Sequence, residues 1–252
     1  MPLSKLQTDI LTVLASHRDP ESCVAGAAPL NRNAPRYSDD VDFFHDREER
    51  VAIAALDDAQ SWRPRANDIT RLEWVVDSDY RFFPTVRDDT FGYVLHPVDL
   101  AMNKTMAAAG RREVRDVVDL VTVHKTILPL GALIWAAVEK SPGFTPEGLI
   151  AEIRRNAHYP APDWRALIMS EPVDPADISA RLRSALDEAE AFVTRMPTSK
   201  MGLLFLQNGE VTQPDPDLLE TYETHAGQRR GHWPTNPDIA AAMFERLKKR
   251  SI

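Results

Sequence analysis

Hydrophobic positions over the first 95 residues predict helices and short strands in mixed order. Apolar residues recur at helical spacing over 3–15, which predicts an N-terminal amphipathic helix. A second helical pattern with an acidic start covers 45–59. Short apolar runs bounded by turn residues predict strands at 22–25, 41–44, 70–76 and 80–83. Because a turn signal at 77–79 separates the last two strands, we expect them to form a hairpin that extends one sheet.

From Pro97 onward the apolar positions follow helical spacing. Segments rich in Ala, Leu and Lys, with Pro or Gly at their ends, predict helices at 98–109, 112–128, 131–140, 146–156 and 174–195. Asn208-Gly209 follows an apolar run and predicts a small late hairpin. The chain is therefore predicted to be α+β, with a mixed-sheet domain over 1–95 and a mainly helical domain over 96–252.

Composition narrows the class of protein. The chain has 252 residues, no apolar run near the roughly 20 residues of a membrane span, and no apolar signal-peptide core at its start. We expect a cytoplasmic protein without membrane association, in which the single Cys23 is a small core residue rather than a nucleophile. No Walker-type or Gly-x-Gly-x-x-Gly loop occurs, and the histidines have no zinc-site spacing.

The net charge of −8 argues against a general nucleic-acid coat protein, because affinity for phosphate backbones depends on Lys and Arg. Local basic patches are still compatible with this charge, although each is first interpreted as a solvated face. The candidate patches are Arg111-Arg112 with Arg115, Arg229-Arg230, and Lys248-Lys249-Arg250.

Asp40 and Asp42 carry the clearest chemical signal. They lie two residues apart in a predicted strand, so both side chains point to the same face. Two neighbouring carboxylates repel each other unless a cation lies between them, and Mg²⁺ accepts such ligands together with substrate phosphates. Upstream, a buried strand runs into the small-residue turn that begins at Gly26, where backbone N–H groups could approach a phosphate. The alternative interpretation is a solvated acidic turn or a helix N-cap.

Three segments resemble the AbiEii/AbiGii toxin-type nucleotidyltransferases, a family within the polymerase-β-like superfamily. The first is 26–44, which combines the Gly turn with Arg-x-Ser-Asp-Asp-x-Asp-Phe-Phe. The second is Leu-Glu-Trp-Val at 72–75, followed by Tyr-Arg-Phe at 80–82. The third joins the Lys-containing 95–104 to an Arg-Asp-x-x-Asp-Leu pattern at 115–120. The resemblance covers about 20–125 and implies a polymerase-β-like mixed sheet with flanking helices.

The resemblance also implies roles for individual residues. It implies a metal site, for Mg²⁺ or Mn²⁺, made by Asp40, Asp42 and Glu73, and a positive charge on the NTP triphosphate from Lys104. It places Asp116 at the active site, where this residue would orient Lys104 or the acceptor hydroxyl. Nucleotide binding would involve Gly26, Ala27, Ser38 and Lys104.

On residue type alone, Glu73 could be an exposed strand carboxylate and Lys104 a helix-surface lysine. Likewise, Asp116 could belong to a surface ion-pair cluster and Ser38 could be a turn cap.

One departure from the family pattern concerns catalysis. The family usually has two glycines followed by Thr or Ser, whereas this chain has Gly26-Ala27-Ala28-Pro29.

The leading hypothesis is an enzyme that transfers an NMP from an NTP to a tRNA, another RNA or a protein, as the toxin of a toxin–antitoxin or phage-defence system with a cognate antitoxin. A small-molecule acceptor is the enzymatic alternative. Two non-enzymatic hypotheses are an inactive nucleotide- or partner-binding module, and a structural helical protein whose acidic motif is accidental.

Overall fold

The computed structural model describes residues 3–62, 70–77, 80–141 and 143–229. Over the first 95 residues the helices are α1 (Lys5–Leu14), α2 (Ala27–Leu30) and α3 (Glu48–Ser61). The strands there are β1 (Ser22–Ala25), β2 (Asp40–His45), β3 (Arg71–Val76), β4 (Tyr80–Arg81), β5 (Val86–Asp88) and β6 (Gly92–Val94). The predicted turn residues Ser78 and Asp79 and the basic residues Arg230, Lys248, Lys249 and Arg250 lie outside the described residues.

Five of these strands form one mixed sheet in the order β3-β2-β1-β6-β5. β1 pairs antiparallel with β2 and parallel with β6, and β2 pairs parallel with β3. Because parallel neighbours need a long crossover, α3 lies in the connection between β2 and β3. The fold is therefore α+β with a mixed sheet, as the apolar pattern predicts.

The two faces of β2 have different environments. Val41, Phe43 and His45 are fully buried, and Val41 and Phe43 pack in one hydrophobic cluster with Ile10 and Leu11 of α1. The alternate residues of the strand, Asp40 among them, are only half-buried on the opposite face. This alternation follows from the two-residue period of a strand. Burial of one face therefore fixes the direction in which the acidic side chains point.

The helical half begins with α4 (Pro97–Gly110), followed by α5 (Val114–Thr126), α6 (Leu130–Ala137), α7 (Pro146–Asn156), α8 (Ala161–Ala166) and α9 (Pro175–Arg195). Its last strands are β7 (Leu203–Gln207), β8 (Glu210–Thr212), β9 (Glu223–Ala226) and β10 (Gln228–Arg229). Every residue of α6 is buried, and α6 lies in the largest hydrophobic cluster. The predicted late hairpin is present: β7 and β8 are joined by Asn208 and Gly209, whose φ angles are 53° and 80°.

The predicted 70–76/80–83 hairpin is wrong. β4 has only two residues and pairs with β10 in a separate two-stranded sheet. The N–H groups of Phe82 and Phe83 instead donate to the buried Asp99 carboxylate, at 3.0 and 2.9 Å. Since these donors are used by a side chain, this stretch cannot continue as a strand that pairs through them.

Other differences concern short elements. The helix predicted from 45 begins at Glu48, because His45 still belongs to β2. The sheet is completed by β5 and β6, and the helical half contains α8. Sequence periodicity predicts none of these three elements, since segments of three to six residues are too short to show a period.

Two expectations from composition can be compared with the structure. Cys23 is buried, and burial raises the pKa of its thiol to about 12, so its interpretation as a core residue is confirmed. Within the described ranges no single helix is both long and apolar enough to cross a membrane. Only Val114–Thr126 together with Leu130–Lys140 reaches that length and composition, and these two segments are bent by 108°.

Candidate active site

Asp40, Asp42 and Glu73 lie on one face of the sheet. Asp40 and Asp42 are alternate residues of β2, and the parallel register pairs Asp42 with Glu73 of β3. Paired residues of neighbouring strands point to the same face, so the third acidic side chain lies beside the first two. The tertiary structure thus brings together the three acidic residues that the sequence singles out.

Asp42 is the carboxylate with the least compensation in this group. Its side chain is half-buried and has no hydrogen-bond or ion-pair partner among the described residues. Burial, together with the charges of Asp40 and Glu73, raises the pKa of Asp42 to about 6, although Lys104 and Arg115 act in the opposite direction. An added cation beside this carboxyl would favour its ionised form and so oppose both burial and the neighbouring carboxylates.

Gly26 allows the backbone to pass directly over Asp42. It ends β1 with φ 69° and ψ −150°, a conformation that favours glycine. A Cβ at this position would lie 1.8 Å from Asp42 Oδ2. By contrast, Asn208 is the only non-glycine residue with a positive φ in the described ranges, so Ala27 and Ala28 need no glycine conformation. The position at which the turn requires a close backbone approach is therefore Gly26. Ala27 and Ala28, which depart from the family pattern, do not alter the backbone conformation at Gly26.

Ser38 braces the start of β2. Its hydroxyl donates to the backbone carbonyl of Asp40 at 2.8 Å, and its own carbonyl accepts from Gln7 Nε2 at 2.9 Å. Ser38 is buried, and Gln7 comes from α1. These bonds support a positioning role for Ser38, and a contact between Ser38 and phosphate stays a prediction.

Lys104 projects from α4 into a buried ionic contact with α5. Its Nζ lies 3.0 Å from Asp116 Oδ1 and 3.0 Å from Asp119 Oδ2. Burial raises the pKa of Asp116, but hydrogen bonds and charge from Arg111 and Lys104 outweigh burial and lower the pKa overall. Lys104 is therefore not a helix-surface lysine, and Asp116 holds it in place.

Arg36 and Asn31 complete this network, and sequence reasoning assigned no role to either. Arg36 donates from Nε and Nη2 to the two oxygens of Asp119, at 2.7 and 2.9 Å, and Asn31 Nδ2 donates to Asp119 Oδ1 at 3.1 Å. Burial raises the pKa of Asp119, but Lys104 and Arg36 lower it overall to about 2. The sequence contains part of the evidence that Arg36 belongs to the site, because Arg36 is the first residue of the Arg-x-Ser-Asp-Asp motif.

Two arginines near the α4–α5 junction contact acidic residues of the site. Arg115 lies in the first turn of α5, and Arg111 lies at the end of α4. Arg115 Nη1 lies 3.4 Å from Asp40 Oδ2, and Arg111 Nε lies 2.8 Å from Asp116 Oδ2. From the sequence, these arginines are expected only as parts of a basic patch or an ion-pair cluster. The Arg115–Asp40 contact joins the helical half to the sheet at the acidic face.

The acidic face fits a metal ion in part. In the portion of the chain that the structure describes, no three His, Cys, Asp or Glu side chains are close enough together to hold one. Glu73 is ion-paired with Arg71 on its own strand, and Asp40 is in contact with Arg115. Asp40 and Asp42 nevertheless fit Mg²⁺ as two hard-oxygen ligands, since Mg²⁺ commonly takes one or two carboxylates plus phosphates and water. The role of Glu73 as a third ligand stays a prediction.

Comparisons with known proteins give little further information. No protein-family model matches the chain, and no curated protein sequence matches it. A solved structure described as "putative nucleotidyltransferase from H. pylori" is similar to it, with a TM-score of 0.45 and 17% identity over 76% of this chain and 94% of that one. At this TM-score and identity the likeness carries no inference about the present chain.

Proposed function

We propose that the protein is a metal-dependent nucleotidyltransferase that moves an NMP from an NTP to an acceptor hydroxyl. One observation carries the proposal: Asp40 and Asp42 project from one strand face, with Glu73 in register, directly below the backbone turn at Gly26. This arrangement combines ligands for a divalent cation with a backbone segment that phosphate could approach. Lys104 and Arg115 add positive charge on the helical side.

The side chains support a consistent set of roles. Asp40 and Asp42 would hold the metal, and a bound Mg²⁺ or Mn²⁺ would supply positive charge that partly neutralises the nucleotide phosphates. Asp116 and Asp119 fix the Nζ of Lys104, which would give that amine one preorganised position near the triphosphate. The acceptor oxygen would form a bond to the α-phosphorus as the bond to the β-phosphate oxygen breaks, releasing pyrophosphate and the hydroxyl proton.

The biological setting follows from the family resemblance. On that basis we extend the proposal to the toxin of a toxin–antitoxin or phage-defence system, acting on tRNA, another RNA or a protein, with a cognate antitoxin as partner. An acceptor RNA would need local positive charge, since the chain is acidic overall. Three arginines lie at the α4–α5 junction, of which Arg111 is paired with Asp116 and Arg115 with Asp40. The exposed Arg112, which has no ion pair among the described residues, would supply such charge.

A nucleotide-binding module without catalysis is the second candidate. The observation in its favour is that Glu73 is paired with Arg71 and Asp40 is in contact with Arg115, so two of the three acidic residues are already partly neutralised. Such a module would bind an NTP in the presence of Mg²⁺ without transferring any part of it.

Transfer of α-³²P label from each NTP, with Mg²⁺ and total tRNA, tests the proposal. We expect label in RNA or protein with wild type, at least about 100-fold less with Asp42→Asn, and unchanged transfer with Asp57→Asn, an exposed carboxylate on α3. A folded wild type that is stabilised by Mg²⁺–NTP but transfers no label would favour the binding module. Absence of both transfer and stabilisation would overturn both candidates.

A further inference from the structure

A cleft of about 780 Å³ lies in the helical half. It is formed by α8, the segment that follows α8 and the first turn of α9. Half-buried apolar side chains and exposed polar ones share its lining, which includes Tyr159, Trp164, Met169, Arg165, Ser170 and Glu171. This volume falls within the range of ordinary small-molecule sites, about 300–1,000 Å³.

The wall of the cleft is hydrogen-bonded to the loop that leads into β2. Arg36 and Met169 form an antiparallel bridge. On either side of it, the N–H of Tyr37 donates to the carbonyl of Ile168 at 3.0 Å, and the N–H of Ser170 donates to the carbonyl of Pro35 at 2.7 Å. The same loop carries the Arg36 side chain to Asp119 and then enters β2 at Asp40. The backbone from Pro35 to Asp40 therefore links the wall of the cleft to the acidic residues of β2.

Another part of the lining contacts the segment that precedes α5. The Arg112 guanidinium lies 5.5 Å from the ring centre of Tyr159, and Arg112 Nη2 donates to the carbonyl of the preceding residue, His158. Burial and the charge of Asp116 raise the pKa of Tyr159 to about 12, so the phenol is neutral at physiological pH. Two segments of the candidate active site, the β2 loop and the turn at Arg112 before α5, thus contact residues that line the cleft.

The chemistry of the lining favours a flat, uncharged, hydrogen-bonding group. Trp164 Nε1, Arg165 and Glu171 have no side-chain partner within the described ranges, so one donor, one cation and one anion are free to bind. Glu171 would repel a phosphate that Arg165 attracts, which disfavours an anion in the cleft itself. A nucleobase presents an aromatic face to Trp164 and Met169 and a polar edge to the free groups.

We propose that this cleft is a nucleobase-binding subsite, which holds the base of a nucleotide whose phosphate or hydroxyl reaches Asp40 and Asp42. The inference rests on the proposed function for the location of the reacting group. Both the incoming NTP and the 3′ end of an RNA acceptor carry such a base. Binding measurements on cleft variants separate these two sources.

The matched variants are Ala176→Trp and Ala191→Trp. Both alanines are exposed on α9, but only Ala176 lines the cleft, whereas Ala191 lies about four turns along the same helix. Trp164→Leu removes the ring and keeps an apolar side chain. The probes are the four NTPs and inorganic tripolyphosphate, each with Mg²⁺, and deacylated tRNA, with dissociation constants measured by calorimetry.

We expect Ala176→Trp and Trp164→Leu to weaken binding of an NTP or of tRNA at least 10-fold, with tripolyphosphate binding unchanged and Ala191→Trp equal to wild type. Weakened NTP binding alone would place the base of the incoming nucleotide in the cleft. Weakened tRNA binding alone would place the acceptor's terminal base there.

Three results would overturn the inference: an unchanged affinity for both NTP and tRNA in Ala176→Trp, an equal loss with Ala191→Trp, or no binding of either probe by wild type. The proposed function fails separately, when wild type transfers no label although the cleft variants still weaken NTP or tRNA binding. If wild type transfers label while Ala176→Trp and Ala191→Trp bind NTP and tRNA equally well, the proposed function is supported and the nucleobase subsite is wrong.

Discussion

Two acidic groups on either side of the candidate site have opposite electrostatic character. Asp116 and Asp119 on α5 are enclosed by Lys104, Arg111 and Arg36. Lys104 and Arg36 lower the pKa of Asp119 to about 2, although burial acts against this. On β2, Asp42 lies beside other carboxylates, and its pKa is raised to about 6. The negative charges of the first group are balanced by cations of the chain itself. The second group has too little positive charge around it, and we therefore assign the external cation to this group.

The comparison also separates positioning from binding. A carboxylate with buried cationic partners maintains structure, whereas one without partners costs stability in the absence of ligand. Changes in the first group should therefore mainly affect folding, and changes on β2 should mainly affect ligand binding. The following variants test this division, from the largest expected effect to the smallest.

Asp119→Leu should lower the free energy of unfolding by about 3–5 kcal/mol, because it leaves Arg36 and Lys104 buried without their shared carboxylate. Urea denaturation at pH 7 measures this loss. The double variant Arg36→Met/Asp119→Leu should recover part of it, since Arg36 is then removed and Lys104 still pairs with Asp116. A loss below about 1 kcal/mol in the single variant would show that the ionic contacts of Asp119 on α5 do not maintain the structure.

Gly26→Ala should destabilise the fold by about 1–3 kcal/mol and reduce nucleotide affinity, because the new Cβ would meet Asp42 Oδ2 at a residue with positive φ. Gly110→Ala is the matched control, as a Cβ there meets nothing within 4 Å. Thermal denaturation and NTP titration measure the two effects. Equal behaviour of the two variants would contradict the close approach at Gly26.

Asp42→Asn should stabilise the metal-free protein by about 1–2 kcal/mol at pH 7. The folded-state pKa of Asp42, about 6, lies above its ordinary value of 3.8, so the folded state holds the proton more tightly. The stability due to that proton is present below about pH 4 and is lost as the pH rises through 6. The gain from Asn should therefore be full above pH 6 and vanish near pH 4.

Unfolding in EDTA across this pH range measures the gain, with Asp57→Asn as an exposed control that should show none. Excess Mg²⁺ should raise the melting temperature of wild type and leave that of Asp42→Asn unchanged. A pH-independent difference between wild type and Asp42→Asn would show that the carboxylate on β2 is not electrostatically strained.

Much of the candidate site could be predicted from local sequence. The two-residue period of a strand places Asp40 and Asp42 on one face, and apolar Val41 and Phe43 determine which face is buried. Helical spacing and its Gly and Pro boundaries predict α4 and α5, and with them one helix for Lys104 and another for Asp116. These features depend on neighbouring residues only.

Long-range pairing was decided by the tertiary structure. Arg36 binds Asp119 across 83 positions of sequence, and β4 pairs with β10 rather than with the nearby β3. Asp99 determines the second outcome, because its carboxylate takes the N–H groups of Phe82 and Phe83. The pairing of the β2 loop with the segment after α8, at Arg36 and Met169, is likewise a long-range contact. Periodicity states which face of an element is buried, but competition among distant donors and acceptors decides what that face meets.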